Sequence, residues 1–134
     1  MTNDKKPLLL IVDDSRTSRM LIKGIITSLR PDWRTVEADS GDAALAQLAA
    51  ELPDYVSMDV NMPGMSGLEA AGRIRIKHPE IRIVLCTANV QESVREAAKK
   101  AGVDFVAKPI TPASVTAMVG FFESAGGQGG AVQP

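Results

Sequence analysis

Short runs of apolar residues alternate with longer amphipathic stretches along this chain. Continuous apolar runs of this kind are typical of strands that are buried on both faces of a parallel sheet. The predicted strands are Leu8 to Asp13, Arg34 to Ala38, Tyr55 to Asp59, Ile81 to Thr87 and Asp104 to Ala107. A predicted helix follows each strand. The repeated strand-helix order predicts an α/β fold with a parallel sheet and helices packed on it.

Three of the predicted helix starts carry capping signals. Ser66 and Asn89 each precede a glutamate by three residues, which is the spacing of a capping box. Thr111 precedes Pro112, and proline is favoured at the first position of a helix. These local signals predict the same helix starts as the apolar pattern.

The length indicates a single domain. A chain of 134 residues can bury one sizeable core and is short for two. We expect a disordered segment at 1–6, a folded domain at 7–124 and a flexible tail at 125–134. The tail reads AGGQGGAVQP, which has little to bury and much conformational entropy to lose.

Charge and composition exclude several functional classes. The 15 basic and 16 acidic residues nearly cancel, so we expect no general attraction to nucleic acid or to a membrane surface. The single cysteine, Cys86, cannot form an intrachain disulfide, and with His78 as the single histidine no zinc site can be assembled. No secretion signal or membrane-spanning run is present, which predicts a soluble cytoplasmic protein.

Three aspartates stand at the ends of predicted strands. Asp13 and Asp14 end the first apolar run, and Asp59 ends the third. The carboxyl ends of parallel strands meet at one edge of the sheet, which is where ligands bind in open α/β folds. Two carboxylates about 4 Å apart repel by roughly 4 kcal/mol at an effective dielectric of about 20, so a cation must offset them. Oxygen ligands favour Mg²⁺, which commonly shares phosphate oxygens.

Thr87 and Lys108 are expected at the same edge, because they end or follow the fourth and fifth strands. A hydroxyl and an ammonium would then face the three carboxylates. A metal charge and a lysine placed on transferring oxygens are what phosphoryl transfer requires. An aspartate carboxylate can act as the nucleophile in such a reaction.

Separated positions of the chain resemble a known family: Asp13-Asp14, Asp59 within MDVNMPGMSG, Thr87-Ala88 and Lys108-Pro109. In this order and spacing they resemble the CheY-like receiver domain of bacterial two-component response regulators, over roughly 7–124. The resemblance implies a doubly wound five-stranded parallel sheet in the order 2-1-3-4-5 with five helices, a flavodoxin-like three-layer sandwich. It also implies a cis peptide bond between Lys108 and Pro109.

The resemblance implies a role for each site residue. Asp59 would be the phosphoacceptor, taking a phosphoryl group from a sensor histidine kinase, a phosphotransfer protein or a small donor such as acetyl phosphate. Asp14 and Asp59 would ligate Mg²⁺ directly, the backbone carbonyl of Asn61 would be a third ligand, and Asp13 would act mostly through water. Lys108 would pair with the phosphoryl oxygens.

A switch is implied by the same resemblance. The Thr87 hydroxyl would swing onto the phosphoryl group, and Phe105, which lacks the hydroxyl of the commoner tyrosine, would turn inward. Asn89 stands where some members carry an acidic residue, which affects the expected dephosphorylation rate. We expect output to a downstream effector protein through the fourth helix, fifth strand and fifth helix, from a monomer or weak dimer. The DDSRTSR start resembles chemotaxis-type receivers.

Two other functions compete with this hypothesis. A phosphatase that forms an aspartyl phosphate usually carries a second aspartate as acid or base two residues after the first, where this chain has Asn61. A receiver-like adaptor that works without phosphorylation would lack part of the site, and no site position is missing here. We therefore expect phosphoryl acceptance and self-dephosphorylation only, without multiple turnover of a substrate.

Overall fold

The computed structural model describes residues 6–88 and 91–124, in which strands and helices alternate. In chain order they are β1 (Leu8–Val12), α1 (Arg16–Leu29), β2 (Arg34–Ala38), α2 (Gly41–Ala50), β3 (Tyr55–Asp59), α3 (Gly67–Lys77), β4 (Arg82–Thr87), α4 (Glu92–Ala101), β5 (Asp104–Ala107) and α5 (Pro112–Glu123). The predicted disorder at 1–6 and flexible tail at 125–134 stay predictions, because 1–5 and 125–134 lie outside the described residues.

The five strands form one parallel sheet in the order β2-β1-β3-β4-β5. This confirms the predicted strand order and the doubly wound α/β fold. Since all strands run the same way, their carboxyl ends share one edge. The loops after β1, β3 and β5 therefore meet there.

Two strand boundaries differ from the prediction by one residue. β1 ends at Val12 and not at Asp13, because the Asp13 carboxylate accepts a hydrogen bond from the Ser15 backbone N–H and turns the chain toward α1. β4 begins at Arg82 and not at Ile81, whose N–H donates to the His78 carbonyl in a turn. The other three predicted strands have the observed bounds.

Two of the three predicted helix caps are confirmed. The Ser66 side chain accepts a hydrogen bond from the Glu69 N–H, and Thr111 forms a capping box with Ser114 ahead of Pro112. The third prediction is wrong, because the N-cap of α4 is Gln91 and not Asn89. Asn89 itself lies outside the described residues.

Alternate residues of β1 face opposite sides of the sheet, as the period of a strand requires. Leu9 and Ile11 pack in the core that α1 and α5 cover, whereas Leu10 and Val12 pack in the core that α2, α3 and α4 cover. Burial on both faces explains why the strand is continuously apolar. The result is a three-layer sandwich with two helices on one face and three on the other.

Candidate functional site

Asp59 is the last residue of β3 and is almost completely buried, with 3% of its surface exposed. The strand brings it to the carboxyl edge of the sheet, beside the end of β4, where it pairs with Cys86. Its Oδ1 lies 3.2 Å from the Lys108 Nζ. The Asn61 backbone N–H also donates to this carboxylate. Asp59 is therefore a buried carboxylate held in place by a cation and a backbone donor.

Asp13 and Asp14 lie in the loop that follows β1. Asp13 is buried, and its two carboxylate oxygens have different partners: Oδ1 accepts from the Ser15 N–H at 2.8 Å, and Oδ2 lies 3.3 Å from the Lys108 Nζ. Asp14 is exposed to solvent. The loop therefore offers one carboxylate fixed by hydrogen bonds and one that is free to accept a ligand from solution.

Lys108 follows β5 and reaches back over the edge of the sheet. Its backbone N–H donates to the Thr87 carbonyl at 2.8 Å, and its side chain bridges Asp13 and Asp59. The Lys108-Pro109 peptide bond is cis, which confirms the expectation. Partial burial by itself lowers the pKa of the Lys108 ammonium, but the two carboxylates outweigh burial and the pKa is raised. The lysine is therefore firmly cationic.

The environment of Asp59 disfavours its charge. Burial raises the pKa of the Asp59 carboxyl, and the negative charge of Asp13 raises it further. The Lys108 ammonium and the Asn61 N–H act in the opposite direction but do not cancel the rise. One lysine therefore compensates the carboxylates only in part, so the site still favours an added cation.

The three carboxylates form a set that can hold a metal ion. Each of these carboxylates offers one oxygen atom, and the three oxygen atoms, from Asp13, Asp14 and Asp59, lie within 4.8 Å of one another. An all-oxygen donor set with one solvent-exposed member suits a hard cation that keeps some of its waters. The residues therefore fit Mg²⁺. Asn61 is exposed beside them, and the use of its carbonyl as a ligand stays a prediction.

Thr87 ends β4 and is completely buried, while Phe105 in β5 is half-buried. Phe105 packs against the core beneath α2, α3 and α4, and the Arg95 guanidinium lies 5.5 Å from its ring centre. The structure thus places both predicted switch residues on the neighbouring strands β4 and β5. Their movement on phosphorylation stays a prediction.

Sequence reasoning missed two supports of the site. Arg19 donates to the main-chain carbonyl of Asp13 at 2.6 Å and is itself held by Glu37 at 2.8 Å. Gly67 begins α3 so close to β3 that a Cβ there would lie 1.9 Å from the Asp59 carbonyl oxygen. The position of Gly67 directly after the helix cap Ser66 was a sequence signal for the close contact of α3. No local sequence signal indicated the contact of Arg19 with Asp13.

The comparisons with known proteins agree with this geometry. Residues 9–120 match the family model described as the response regulator receiver domain. This chain belongs to that family. Receiver domains of response regulators serve two-component signalling, and the match spans most of the chain.

Individual relatives of this receiver domain have different outputs. It is 40% identical over 103 residues to the chemotaxis protein CheY of Listeria monocytogenes, covering 75% of this chain and 85% of that protein. It is 37% identical over 112 residues to the cyclic di-GMP phosphodiesterase response regulator RpfG of Xanthomonas campestris, covering 81% of this chain and 30% of that protein. Membership of the family therefore does not identify the pathway.

Solved structures confirm the fold of the receiver domain. The chain superimposes on a response regulator from Chloroflexus aurantiacus with a TM-score of 0.77 and 32% identity, covering 88% of this chain and 98% of that one. Within the described residues, no helix is both long and apolar enough to cross a lipid bilayer.

Proposed function

We propose that this receiver domain accepts a phosphoryl group on Asp59 in the presence of Mg²⁺ and passes the signal on through protein contacts. The observation that carries the proposal is the position of Lys108, whose Nζ lies 3.2 Å from Asp59 Oδ1 and 3.3 Å from Asp13 Oδ2. A buried carboxylate beside a fixed cation and two further carboxylates suits phosphoryl transfer, in which positioning and charge stabilisation dominate.

Asp13, Asp14 and Asp59 would hold the metal ion. When bound, Mg²⁺ would neutralise negative charge on the cluster and on the transferring oxygens. Exposed Asp14 forms no hydrogen bond or ion pair with the residues that the structure describes, so its carboxylate can bind the cation, whereas the hydrogen bond from Ser15 already orients Asp13. The direct ligand role of Asp14 and the carbonyl of Asn61 are part of this proposal.

The transfer step uses the chain's own residues. An Asp59 carboxylate oxygen attacks the phosphorus of a phosphohistidine in a kinase or phosphotransfer protein, so that a P–O bond forms as the P–N bond breaks. The donor imidazole leaves with the bonding electron pair. Lys108 can then exchange its carboxylate partner for a phosphoryl oxygen, because its charge persists at neutral pH. Attack of water on the acyl phosphate later releases inorganic phosphate and restores Asp59.

Intact-mass analysis tests the acceptor assignment. With Mg²⁺ and acetyl phosphate, wild type should gain one phosphoryl group, whereas Asp59→Asn should gain none because the amide is a poor nucleophile. Asp54→Asn is the matched control, since Asp54 directly precedes β3, at the end away from Asp59, and accepts from the Leu8 N–H. A phosphoryl adduct on Asp59→Asn would contradict the assignment.

Thr87 and Phe105 are the proposed switch, and α4, β5 and α5 the proposed output surface. A distant surface responds only if some element binds the phosphoryl group differently in two states. Thr87→Ala should still be phosphorylated, because Asp59 and Lys108 remain, but the amide shifts of β5 and α5 on adding beryllofluoride should be largely lost. Thr87→Ser, which keeps the hydroxyl, is the control. Wild-type shifts in Thr87→Ala would show that the hydroxyl is not the switch.

The site supports the competing functions less well. Asn61 offers no carboxylate to act as acid or base on a leaving group, so we propose self-dephosphorylation without multiple turnover. Asp13, Asp14, Asp59, Thr87 and Lys108 are all present, which favours phosphorylation over a phosphorylation-independent adaptor. The partners we propose are a histidine kinase or phosphotransfer protein and a downstream effector protein.

A further inference from the structure

A groove of about 590 Å³ lies between α2 and α3. Its apolar lining consists of Leu45, Leu48, Ala49, Leu52, Ile74 and Ile76. Leu48 and Ile74 are buried in the floor, whereas Leu52 is 47% exposed and Ile76 is 83% exposed. Leu52 and Ile76 line the same groove, so their exposed surfaces belong to one apolar patch and not to scattered single residues, and contiguous apolar patches mark interaction sites when they are large.

The groove is separate from the carboxylate cluster. Leu48 lies in the last turn of α2, and Leu52 follows that helix. Ile74 and Ile76 lie in the last turn of α3. In a strand-helix repeat the end of each helix returns to the amino end of the next strand. The groove therefore lies toward the edge of the sheet opposite Asp59, and no residue of the cluster lines it.

The charged and polar residues that line the groove are all basic: Arg73, Lys77 and His78. Arg73 pairs with Glu69 at 2.8 Å, and His78 Nδ1 lies 3.7 Å from Glu80. Lys77 forms no ion pair with any residue that the structure describes. Apolar side chains bordered by positive charge fit a partner that carries apolar residues flanked by carboxylates.

A second copy of this chain is a poor occupant. Two grooves facing each other would bring Lys77 against the same basic residues of the other copy. Helix α1 also carries neighbouring exposed large apolar side chains, Met20 and Leu21. Its sequence, RTSRMLIKGIITSL, contains arginine and lysine but no aspartate or glutamate. Docking α1 into the groove would therefore place positive charge against positive charge.

We propose that the α2–α3 groove docks an acidic amphipathic helix of another protein. A helix that presents apolar residues at i, i+3, i+4 and i+7 can fill a groove between two helices, and its flanking glutamates would meet the basic rim. The surface differs from the proposed output surface formed by α4, β5 and α5, so it would provide a second contact.

A synthetic helical peptide with this pattern of leucines and with glutamates at its other positions tests the proposal. It is titrated into the full isotope-labelled chain without Mg²⁺ or phosphoryl donor, and amide shifts are followed by NMR. We expect saturable shifts confined to α2 and α3. Ile76→Ser and Lys77→Glu should each weaken binding roughly tenfold, because each removes part of the complementary surface. Met20→Ser, an exposed apolar residue on α1, should bind as wild type does.

Several outcomes would overturn the proposal. They are the absence of saturable shifts, shifts centred outside α2 and α3, and equal binding of a peptide with lysines in place of the glutamates. A dimer found by analytical ultracentrifugation and lost in Ile76→Ser would assign the groove to self-association instead. Because the titration contains no Mg²⁺ or phosphoryl donor, failure of the phosphoacceptor assignment leaves this result unaffected.

Discussion

Lys108 is the residue on which the charge balance of the site depends. Its ammonium faces Asp13 and Asp59 from one side, and these carboxylates raise its pKa despite partial burial. The positive charge therefore persists across the physiological pH range. In the proposed reaction, a phosphoryl group arriving on Asp59 would meet a cation already in position, so little reorganisation would be needed at the moment of transfer.

Cys86 illustrates the opposite case, in which burial suppresses reactivity. It pairs with Asp59 across the sheet, and burial raises the pKa of its thiol to about 11. We expect native protein at about pH 8 to resist a disulfide reagent, because the reactive thiolate is scarce and inaccessible. Denatured protein should react fully. Rapid stoichiometric labelling of the native protein would contradict this.

A matched variant separates burial from hydrogen bonding at Cys86. Burial raises the pKa of the thiol, and the Ser57 hydroxyl, which lies 3.6 Å from the sulfur, lowers it without outweighing burial. Ser57→Ala should therefore leave the thiol unreactive.

The raised pKa of Cys86 also affects stability at high pH. The native state keeps the thiol proton to a higher pH than the unfolded chain does, so the contribution of Cys86 to stability falls as pH rises from about 9 toward 11. Cys86→Ala should lose less stability over that range.

At the scale of elements, the start of α3 is the tightest contact near the site. The Gly67 N–H donates to the Val60 carbonyl at 2.9 Å, and the helix backbone lies directly against the end of β3. A side chain at this position would collide with the backbone that carries Asp59. The position of the helix thus depends on the absence of a single methyl group.

We expect Gly67→Ala to damage both stability and phosphorylation. The added Cβ must displace the Asp59 backbone or the helix, and overpacking of this kind typically costs about 1 to 3 kcal/mol. Chemical denaturation and the phosphorylation rate with acetyl phosphate are the measurements. Gly72→Ala is the control on the same helix, where a Cβ meets nothing within 4 Å. That control should be neutral or stabilising by up to about 1 kcal/mol. Equal behaviour of the two variants would contradict the steric argument.

The elements were predictable because their signals are local. The apolar run of β1 and the caps at Ser66 and Thr111 depend on neighbouring residues, so the sequence alone indicated them. The N-cap of α4 was not predictable, because Asn89 has the capping-box spacing to Glu92, whereas the observed N-cap, Gln91, makes no side-chain capping hydrogen bond. The carboxylate cluster was predictable since parallel strands share an edge. The contact of Arg19 with Asp13 and the α2–α3 groove arise from packing between distant segments, which no local pattern encodes.

At the scale of the whole molecule, the carboxylate cluster is a source of instability when no cation is bound. Burial and Asp13 raise the pKa of Asp59, so the native state holds a proton there more tightly than the unfolded chain does. The contribution of Asp59 to the stability of the wild type therefore falls as pH rises from the ordinary carboxyl pKa of about 3.9 through the raised folded-state value. The site is maintained at a cost in stability.

We expect Asp59→Asn to be more stable than wild type near pH 7 without Mg²⁺, by on the order of 1 kcal/mol. The amide resembles the protonated carboxyl, so the difference should shrink as pH falls through the raised folded-state pKa of Asp59 and be small below about 4. Saturating Mg²⁺ should also narrow it by stabilising the wild type. Urea denaturation at several pH values, with and without Mg²⁺, measures both effects. A wild type that is the more stable protein at neutral pH without Mg²⁺ would contradict the prediction.

At the opposite edge, where the strands begin, three aromatic side chains form a cluster. Trp33 lies 4.8 Å from Tyr55, which stacks on Phe122 at 4.8 Å between ring centres. Tyr55 begins the strand that Asp59 ends, which separates the two by about 13 Å at the usual rise per residue. Trp33 is the single tryptophan of the chain. Its fluorescence is therefore a natural probe of unfolding, and an optical signal for cation binding requires a dye attached near the carboxylates.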